Sequence, residues 1–261
     1  MEELLVTSRA AAKVCQHKAE CVCVESCDLD SVVSSLAMAY FLFRTSSGPP
    51  GCSLVLPVLN IPRSQFHLRA DVLLLLREAS IATETLVFRD EVDLAHLHGN
   101  RRLALTLVDH NILPSTDRDL EGAVVEVIDH HQLQRTTSFA CPVTMEMVLS
   151  CATLVTERIL SRAPEILDQQ LALLLYVSVI KFTCDVAAAD FNGLENDVLL
   201  INVDVIVCVC VSGFTTEQIL LNNMKTVAGG NLKVAVSIVY MSLDVNINSL
   251  NLNHLYIFQT F

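Results

Sequence analysis

The sequence predicts an α/β protein, a mostly parallel sheet flanked by helices, with a smaller, truncated α/β C-terminal domain. Short apolar runs rich in Val and Leu alternate with longer helix-like stretches. Three of those runs lead straight into acidic clusters: Cys27-Asp28-Leu29-Asp30-Ser31, Asp109-His110-Asn111 and Asp129-His130-His131. That pattern suits central strands of a parallel sheet covered on both faces.

The elements follow in order. Glu20 to Glu25 (ECVCVE) reads as the first strand and Ser31 to Phe43 as the helix after it. Ser53 to Leu59 is a strand, Ser64 to Ala79 a helix, and Thr85 to Phe88 a short strand. Leu103 to Val108 (LALTLV) and Ala123 to Ile128 (AVVEVI) complete the set. In an open sheet of this kind the ligand crevice lies outside the carboxyl ends of the strands. Asp28, Asp30, Asp109, Asp129, His130 and His131 all stand just past such ends, so they can converge from distant parts of the chain.

Carboxylates and imidazoles gathered in one place repel or lose hydration unless a cation sits among them, because each buried ion carries a desolvation cost of several kcal/mol. An oxygen-rich set with one or two imidazoles suits Mn²⁺ or Mg²⁺ better than a soft-ligand metal. Two such ions roughly 3.5–4 Å apart can activate a water and hold both oxygens of an in-line phosphoryl displacement. The ligand set therefore points to hydrolysis of a phosphoester or phosphoanhydride.

In order and spacing these three clusters resemble the successive motifs of the DHH phosphoesterase superfamily. CDLDSVVSSLAMAYFL (27–42), LPVLNIPRSQF (56–66), FRDEVDL (88–94), SCATLVTERIL (150–160) and APEILDQQLALLL (163–175) are similar to animal prune proteins, the exopolyphosphatase-like branch. The likeness implies a DHH domain over 1–176, a divergent connecting segment over 177–211, a partial C-terminal domain of the DHHA2 type over 212–244, and a divergent tail over 245–261. It implies Asp28, Asp30, Asp109 and His130 as metal ligands and Asp129 as a ligand or the partner of one. His131 would contact phosphate or metal, and Lys225 is the basic residue retained downstream. Implied too are two Mn²⁺ or Mg²⁺ ions in an intact site, a phosphate-containing small-molecule substrate, and nucleoside diphosphate kinase as a binding partner.

The chain departs from that pattern at three places. Where the family has a His or Asn four residues before the first Asp, this chain has Val24. Phe182 falls where an Asp at a strand end is expected, with Asp185 three residues on. Leu221-Asn222-Asn223 replaces a basic-basic-acidic triplet. Two functions follow from different classes: a metal-dependent phosphohydrolase of the prune type, acting on short-chain polyphosphate, pyrophosphate-like or cyclic nucleotide substrates through metal-activated water, or a catalytically weakened relative acting as an interaction protein.

Composition narrows the rest. A net charge of −12 argues against general nucleic-acid binding, though bound cations would reverse the local potential for a phosphate substrate. MEELLVTSRA lacks the features of a signal peptide, so a cytoplasmic location and free thiols are expected of the ten cysteines. Cys21-x-Cys23 and Cys208-x-Cys210 lack zinc spacing and read as buried packing. Val198 to Val211 is shorter than the ~20 apolar residues of a span, so no membrane association is expected. Asp30-Ser31 could also cap the helix it opens. His67, His96 and His98 read as surface or loop residues, Arg89-Asp90-Glu91 as a solvated or salt-bridged turn, and Met145, Met147 and Leu149 as core. Asp28→Asn with Asp30→Asn is expected to cost little in folding, since clustered like charges without metal repel each other.

Overall fold

Alternation along each strand decides how the protein is layered. The computed structural model describes residues 1–12, 18–24, 26–46, 53–134, 141–190, 224–229 and 232–237. Its strands are β1 (Lys18–Cys23), β2 (Ser53–Leu59), β3 (Val87–Phe88), β4 (Leu103–Val108), β5 (Val124–Asp129) and β6 (Val143–Met145), joined in one sheet of order β3-β2-β1-β4-β5-β6. Every pairing in it is parallel. Val22, Val55, Val108 and Ile128 point to one apolar cluster, while Cys21, Cys23, Leu56, Leu105, Leu107 and Val127 point to another. Both faces are therefore buried.

The first face carries α1 (Glu2–Ala12), α2 (Leu29–Thr45), α3 (Ala70–Glu78), α5 (Cys151–Arg162) and the start of α6 (Gln169–Asp190). The second carries α4 (Leu94–Gly99) and the 3-10 segment Ser115–Ala123. Helix α2 packs against β1, β2, α5 and α6. Every residue from Leu29 to Phe41 is buried, which is how a helix enclosed by the interior differs from an amphipathic surface helix. Its first turn brings Asp30 and Ser31 into that interior.

Several expectations change. Ser64 to Ala79 is not one helix: a 3-10 turn over Arg63–Leu68 precedes α3, and Arg69 between them has ψ 64°. The break lets Phe66 meet Phe88 edge-on at 5.0 Å and lets Arg69 donate to the Ser26 carbonyl at 3.0 Å. Only Val87–Phe88 of the Thr85 to Phe88 strand is extended, because Thr83–Thr85 forms a 3-10 turn in which Thr85 Oγ1 donates to the Ala82 carbonyl. Phe182 and Asp185 do not end a strand. They lie inside α6, whose sequence has no Pro or Gly to stop it and whose Leu171 N–H is held by Asp168.

Met147 and Leu149 are not core: they are 88% and 45% exposed, in the loop between β6 and α5, while Met145 is half-buried. His96 and His98 sit on α4, and His67 is exposed. Cys21 and Cys23 are buried as expected. Of the C-terminal part, β7 (Met224–Gly229) and β8 (Leu232–Ser237) form an antiparallel pair in which Lys225 stands opposite Val236. The Val198 to Val211 run, Cys208-x-Cys210, Leu221-Asn222-Asn223 and the tail lie outside the described residues. Among the described residues no helix is long and apolar enough to cross a membrane.

Candidate metal centre

The chain runs outward from β1 through β2 to β3, then returns to place β4, β5 and β6 on the other side of β1. That reversal opens a crevice between β1 and β4 at their carboxyl ends. The turn after β1 passes through Cys27 at φ 54°, and the turn after β4 passes through Asp109 at φ 64°. Non-glycine residues rarely take the left-handed region and cluster at functional turns when they do, Asp tolerating it better than most. Here it turns the Asp109 carboxylate inward.

The centre is the Asp109–His130 pair. His130 Nδ1 lies 2.8 Å from the Val148 carbonyl, which can only accept, so Nδ1 carries the hydrogen and Nε2 of the neutral ring holds a lone pair. That Nε2 is 3.1 Å from Asp109 Oδ1 and 3.9 Å from Asp30 Oδ2. Asp109 Oδ1 is buried and, despite that approach, accepts no well-formed hydrogen bond. Its other oxygen accepts from Ser31 Oγ at 2.6 Å. Burial, reinforced by the Asp28 and Asp30 carboxylates, outweighs the contacts from His130 and Ser31 and pushes the Asp109 carboxyl up to about 7. Burial works against charge on His130, but Asp109 and the Val148 carbonyl raise it to about 9.

His131 completes the rim. Its Nδ1 meets Asp129 Oδ1 at 2.8 Å, and its side chain is 51% exposed while that of Asp129 is fully buried. Asp129 Oδ1 also accepts the His130 and His131 N–H groups, and Oδ2 accepts from Asn111. Burial would raise Asp129, but the hydrogen bonds from His131 and Asn111 prevail and hold its carboxyl down at about 2. Asn111 further donates to the Gln132 carbonyl and accepts from the Gln134 N–H, so it staples the loop after β4 to the loop after β5.

Asp28 and Asp30 are more heavily engaged. The cap of α2 is Asp28, not Asp30-Ser31: its Oδ1 accepts the Ser31 N–H at 3.0 Å and its Oδ2 accepts from Ser26 at 2.9 Å. Asp30, inside the first turn, accepts on Oδ1 from Ser34, Ser150, Ser178 and the Ala152 N–H, and on Oδ2 from the Cys151 N–H at 2.7 Å. It is tied to the N-terminus of α5, and to α6. The expectation that removing both carboxylates leaves folding little changed overlooks these bonds.

The residues fit a divalent cation. Adjacent ligands of an octahedral ion bound at ~2.1 Å stand about 3 Å apart and opposite ones about 4.2 Å apart. Asp109, His130 and His131 offer ligand atoms all within 4.8 Å of one another. An unsatisfied buried carboxylate oxygen facing an imidazole nitrogen is what a cation would complete, displacing the nitrogen's proton, and a ring fixed through its other nitrogen by a carbonyl is how proteins orient a histidine ligand.

Of the sequence-predicted site residues, the structure brings Asp30, Asp109, Asp129, His130 and His131 together, with Asp28 one residue removed from Asp109: it accepts the Ser31 N–H, and the Ser31 hydroxyl donates to Asp109. Nothing is described of the Lys225 side chain. Sequence reasoning missed Ser26, Ser31, Asn111 and Ser150. Ser31 and Asn111 each close a cluster already identified, which is the only signal the sequence carries for them.

Comparison with known proteins agrees with this geometry. The model of the DHH family, N-terminal domain, matches residues 21–179. The rat protein named Exopolyphosphatase PRUNE1 is 41% identical over 261 residues, covering 94% of this chain and 57% of its own length. The human protein of that name is 38% identical over 275 residues, covering 97% of this chain and 59% of its own. The chain thus spans less than two thirds of the curated relatives it matches. A crystal structure from Methanococcus jannaschii assigned to the family II inorganic pyrophosphatases superposes with a TM-score of 0.52 at 21% identity, over 84% of this chain and 71% of that one, and supports the fold.

Proposed function

The chain belongs to the DHH family, and on that premise we propose that it is a metal-dependent phosphohydrolase of the prune type. One observation carries the reading: the buried, unsatisfied Asp109 Oδ1 set 3.1 Å from His130 Nε2, a nitrogen whose proton a cation would displace. The ion is Mn²⁺ or Mg²⁺, and the substrate a short-chain polyphosphate, a pyrophosphate-like compound or a cyclic nucleotide. A bound divalent ion would supply polarisation of a phosphoryl oxygen and a water acidic enough to attack at neutral pH.

The chain's own residues do the rest. Asp109 and His130 hold the ion, with Asp30 Oδ2 behind them. Asp129 fixes the His131 ring through Nδ1, leaving Nε2 at the exposed rim to meet a phosphate oxygen or take a proton. Lys225 is assigned to phosphate neutralisation on the family pattern.

A second reading, a weakened relative that works by interaction, has its own support. Val24 stands where the family carries a polar residue, and it is 1% exposed within the apolar cluster. With Phe182 inside a helix, a complete second set of ligands is lacking on the family pattern. Turnover of tripolyphosphate is therefore expected to be far below that of a full-motif relative, since lost charge stabilisation of several kcal/mol is about tenfold per 1.36 kcal/mol. Under this reading nucleoside diphosphate kinase is the partner to test.

Mn²⁺ should raise the melting temperature with the logarithm of its concentration, and Asp109→Ala should abolish the rise. Purified protein with tripolyphosphate and Mn²⁺ should then release phosphate slowly. Metal-independent melting together with no phosphate release would sink the hydrolase reading.

A further inference from the structure

The family pattern implies two ions. The lone pairs in this chain allot differently. Asp28 spends both oxygens on its own loop: Oδ1 on the Ser31 N–H and Oδ2 on the Ser26 hydroxyl. Asp30 Oδ1 is crowded by Ser34, Ser150, Ser178 and Ala152, and Oδ2 accepts the Cys151 N–H and stands 3.9 Å from His130 Nε2. Val24 offers no ligand and is packed into the apolar cluster. Among the described carboxylates, the buried oxygen without a hydrogen bond is Asp109 Oδ1.

Ser26, Ser31 and Asp28 share one further feature. The Ser26 and Ser31 hydroxyls are 2.6 Å apart, and Ser31 Oγ is 2.6 Å from Asp109 Oδ2. Asp28 thus grips Ser31 directly at its N–H, while the Ser26 proton goes to Asp28 and the Ser31 proton to Asp109, so the two hydroxyls lie side by side with no proton left to link them. Ser31 in turn holds one Asp109 oxygen, and a carboxylate fixed at one oxygen presents the other in a single direction. That direction is His130.

We propose that this chain's centre takes one divalent ion, on Asp109 Oδ1 and His130 Nε2, and that Asp28 serves it as a positioning residue through Ser31 rather than as a ligand of a second ion. This rests on the hydrolase reading of the same site. It assigns Asp28 a different task from the one the family pattern gives it, and makes Ser31 the residue that aims the metal-binding oxygen. Partners that orient a ligand typically change metal affinity 10–100-fold.

The test is Mn²⁺ titration of the full chain, stripped with chelator, following free Mn²⁺ by electron paramagnetic resonance. The expected result is one ion per chain, lost in Asp109→Asn. Ser31→Ala should bind one ion about 10–100-fold more weakly, with Ser31→Thr restoring most of the affinity because the hydroxyl is kept. Asp28→Asn, whose amide oxygen can still cap α2, should also bind one ion. Asp28→Ala should weaken binding as Ser31→Ala does, and the double variant should be no worse than either single one, because both break one chain of contacts. Two ions in the natural chain, with one lost in Asp28→Asn, would overturn the proposal and leave the hydrolase reading standing. A single ion that Asp28→Asn abolishes would also overturn it. No bound Mn²⁺ at all would remove both.

Discussion

Glu91 and Asp109 are both carboxylates shielded from water at the carboxyl edge of one sheet, and the protein treats them in opposite ways. Glu91, at the end of the 3-10 turn Arg89–Glu91, is gripped by Arg9 of α1, by Arg63 and by the Phe88 N–H. Arg63 also lies 4.4 Å over the Phe88 ring and donates to the Leu86 carbonyl. Burial would raise the Glu91 carboxyl, but the two guanidiniums win and hold it down at about 2. Asp109 is pushed the other way, to about 7. Its neighbours are Asp28, Asp30, a hydroxyl and a histidine, with no guanidinium among the ion pairs described for it. Where the chain supplies guanidiniums the carboxylate is structural; where its cationic partner is an imidazole that can give up its proton, the place is open to a cation from solution.

The largest effect should come from Asp30, which tests whether hydrogen bonds can stand in for cations at the metal end. Its carboxylate is 1% exposed and accepts from five donors on α2, α5 and α6. Asp30→Ala leaves those donors facing an apolar gap, and breaking a buried charged cluster typically costs about 3–5 kcal/mol. Urea denaturation in the presence of chelator measures it directly. A loss below about 1 kcal/mol, the worth of an ordinary single hydrogen bond, would mean that α5 is held by other contacts and that Asp30 is free to act as a plain ligand.

Glu91 comes next, and its sign with pH can be worked out. The folded-state carboxyl sits at about 2, below the ~4.3 of an unfolded glutamate. Its contribution is therefore fully present above the unfolded value and lost as pH falls from about 4.3 through about 2. Glu91→Gln should lower stability at neutral pH by about 1–3 kcal/mol, the range for charged hydrogen bonds. The gap between variant and natural chain should close on acidification towards pH 2. A gap that stays constant with pH would show that the loss comes from packing rather than from the two arginines.

How much of this contrast is legible in the sequence follows from the range of each interaction. The strands Ser53–Leu59 and Leu103–Val108 can be read residue by residue, because burial on both faces writes itself as an unbroken apolar run. Asp109, His130 and His131 stand out because they directly follow such runs. The left-handed backbone at Asp109 leaves no mark in composition. Nor does the bond from Ser150 to Asp30, which joins residues 120 positions apart. The exposure of Met147 leaves no mark for a related reason: the loop that carries it is pinned by the Val148 carbonyl on His130, a polar contact between residues 18 positions apart. The Arg89–Glu91 turn is legible as polar, but the sequence leaves solvated and salt-bridged open, because its partners Arg9 and Arg63 come from separate elements.

The smallest expected effect is the sharpest for the comparison, because its sign is opposite to that of Glu91. Asp109→Asn removes a buried charge that has two carboxylates around it and, among the ion pairs described, only the His130 imidazole as a cationic partner. The amide can still accept from Ser31 and can donate to its neighbours in place of an oxygen that otherwise has no hydrogen bond. In chelator, the variant should melt at or slightly above the temperature of the natural chain, the gain being on the order of 1 kcal/mol or less, since most of the charge's desolvation is already relieved by its raised pKa. In Mn²⁺ the order should reverse, because only the natural chain gains from the ion. The pair of melting curves separates the two ideas cleanly. If Asp109→Asn destabilises the metal-free protein as Glu91→Gln does, the carboxylate is a structural member of an ion pair with protonated His130, and the cation that completes it is already in the chain.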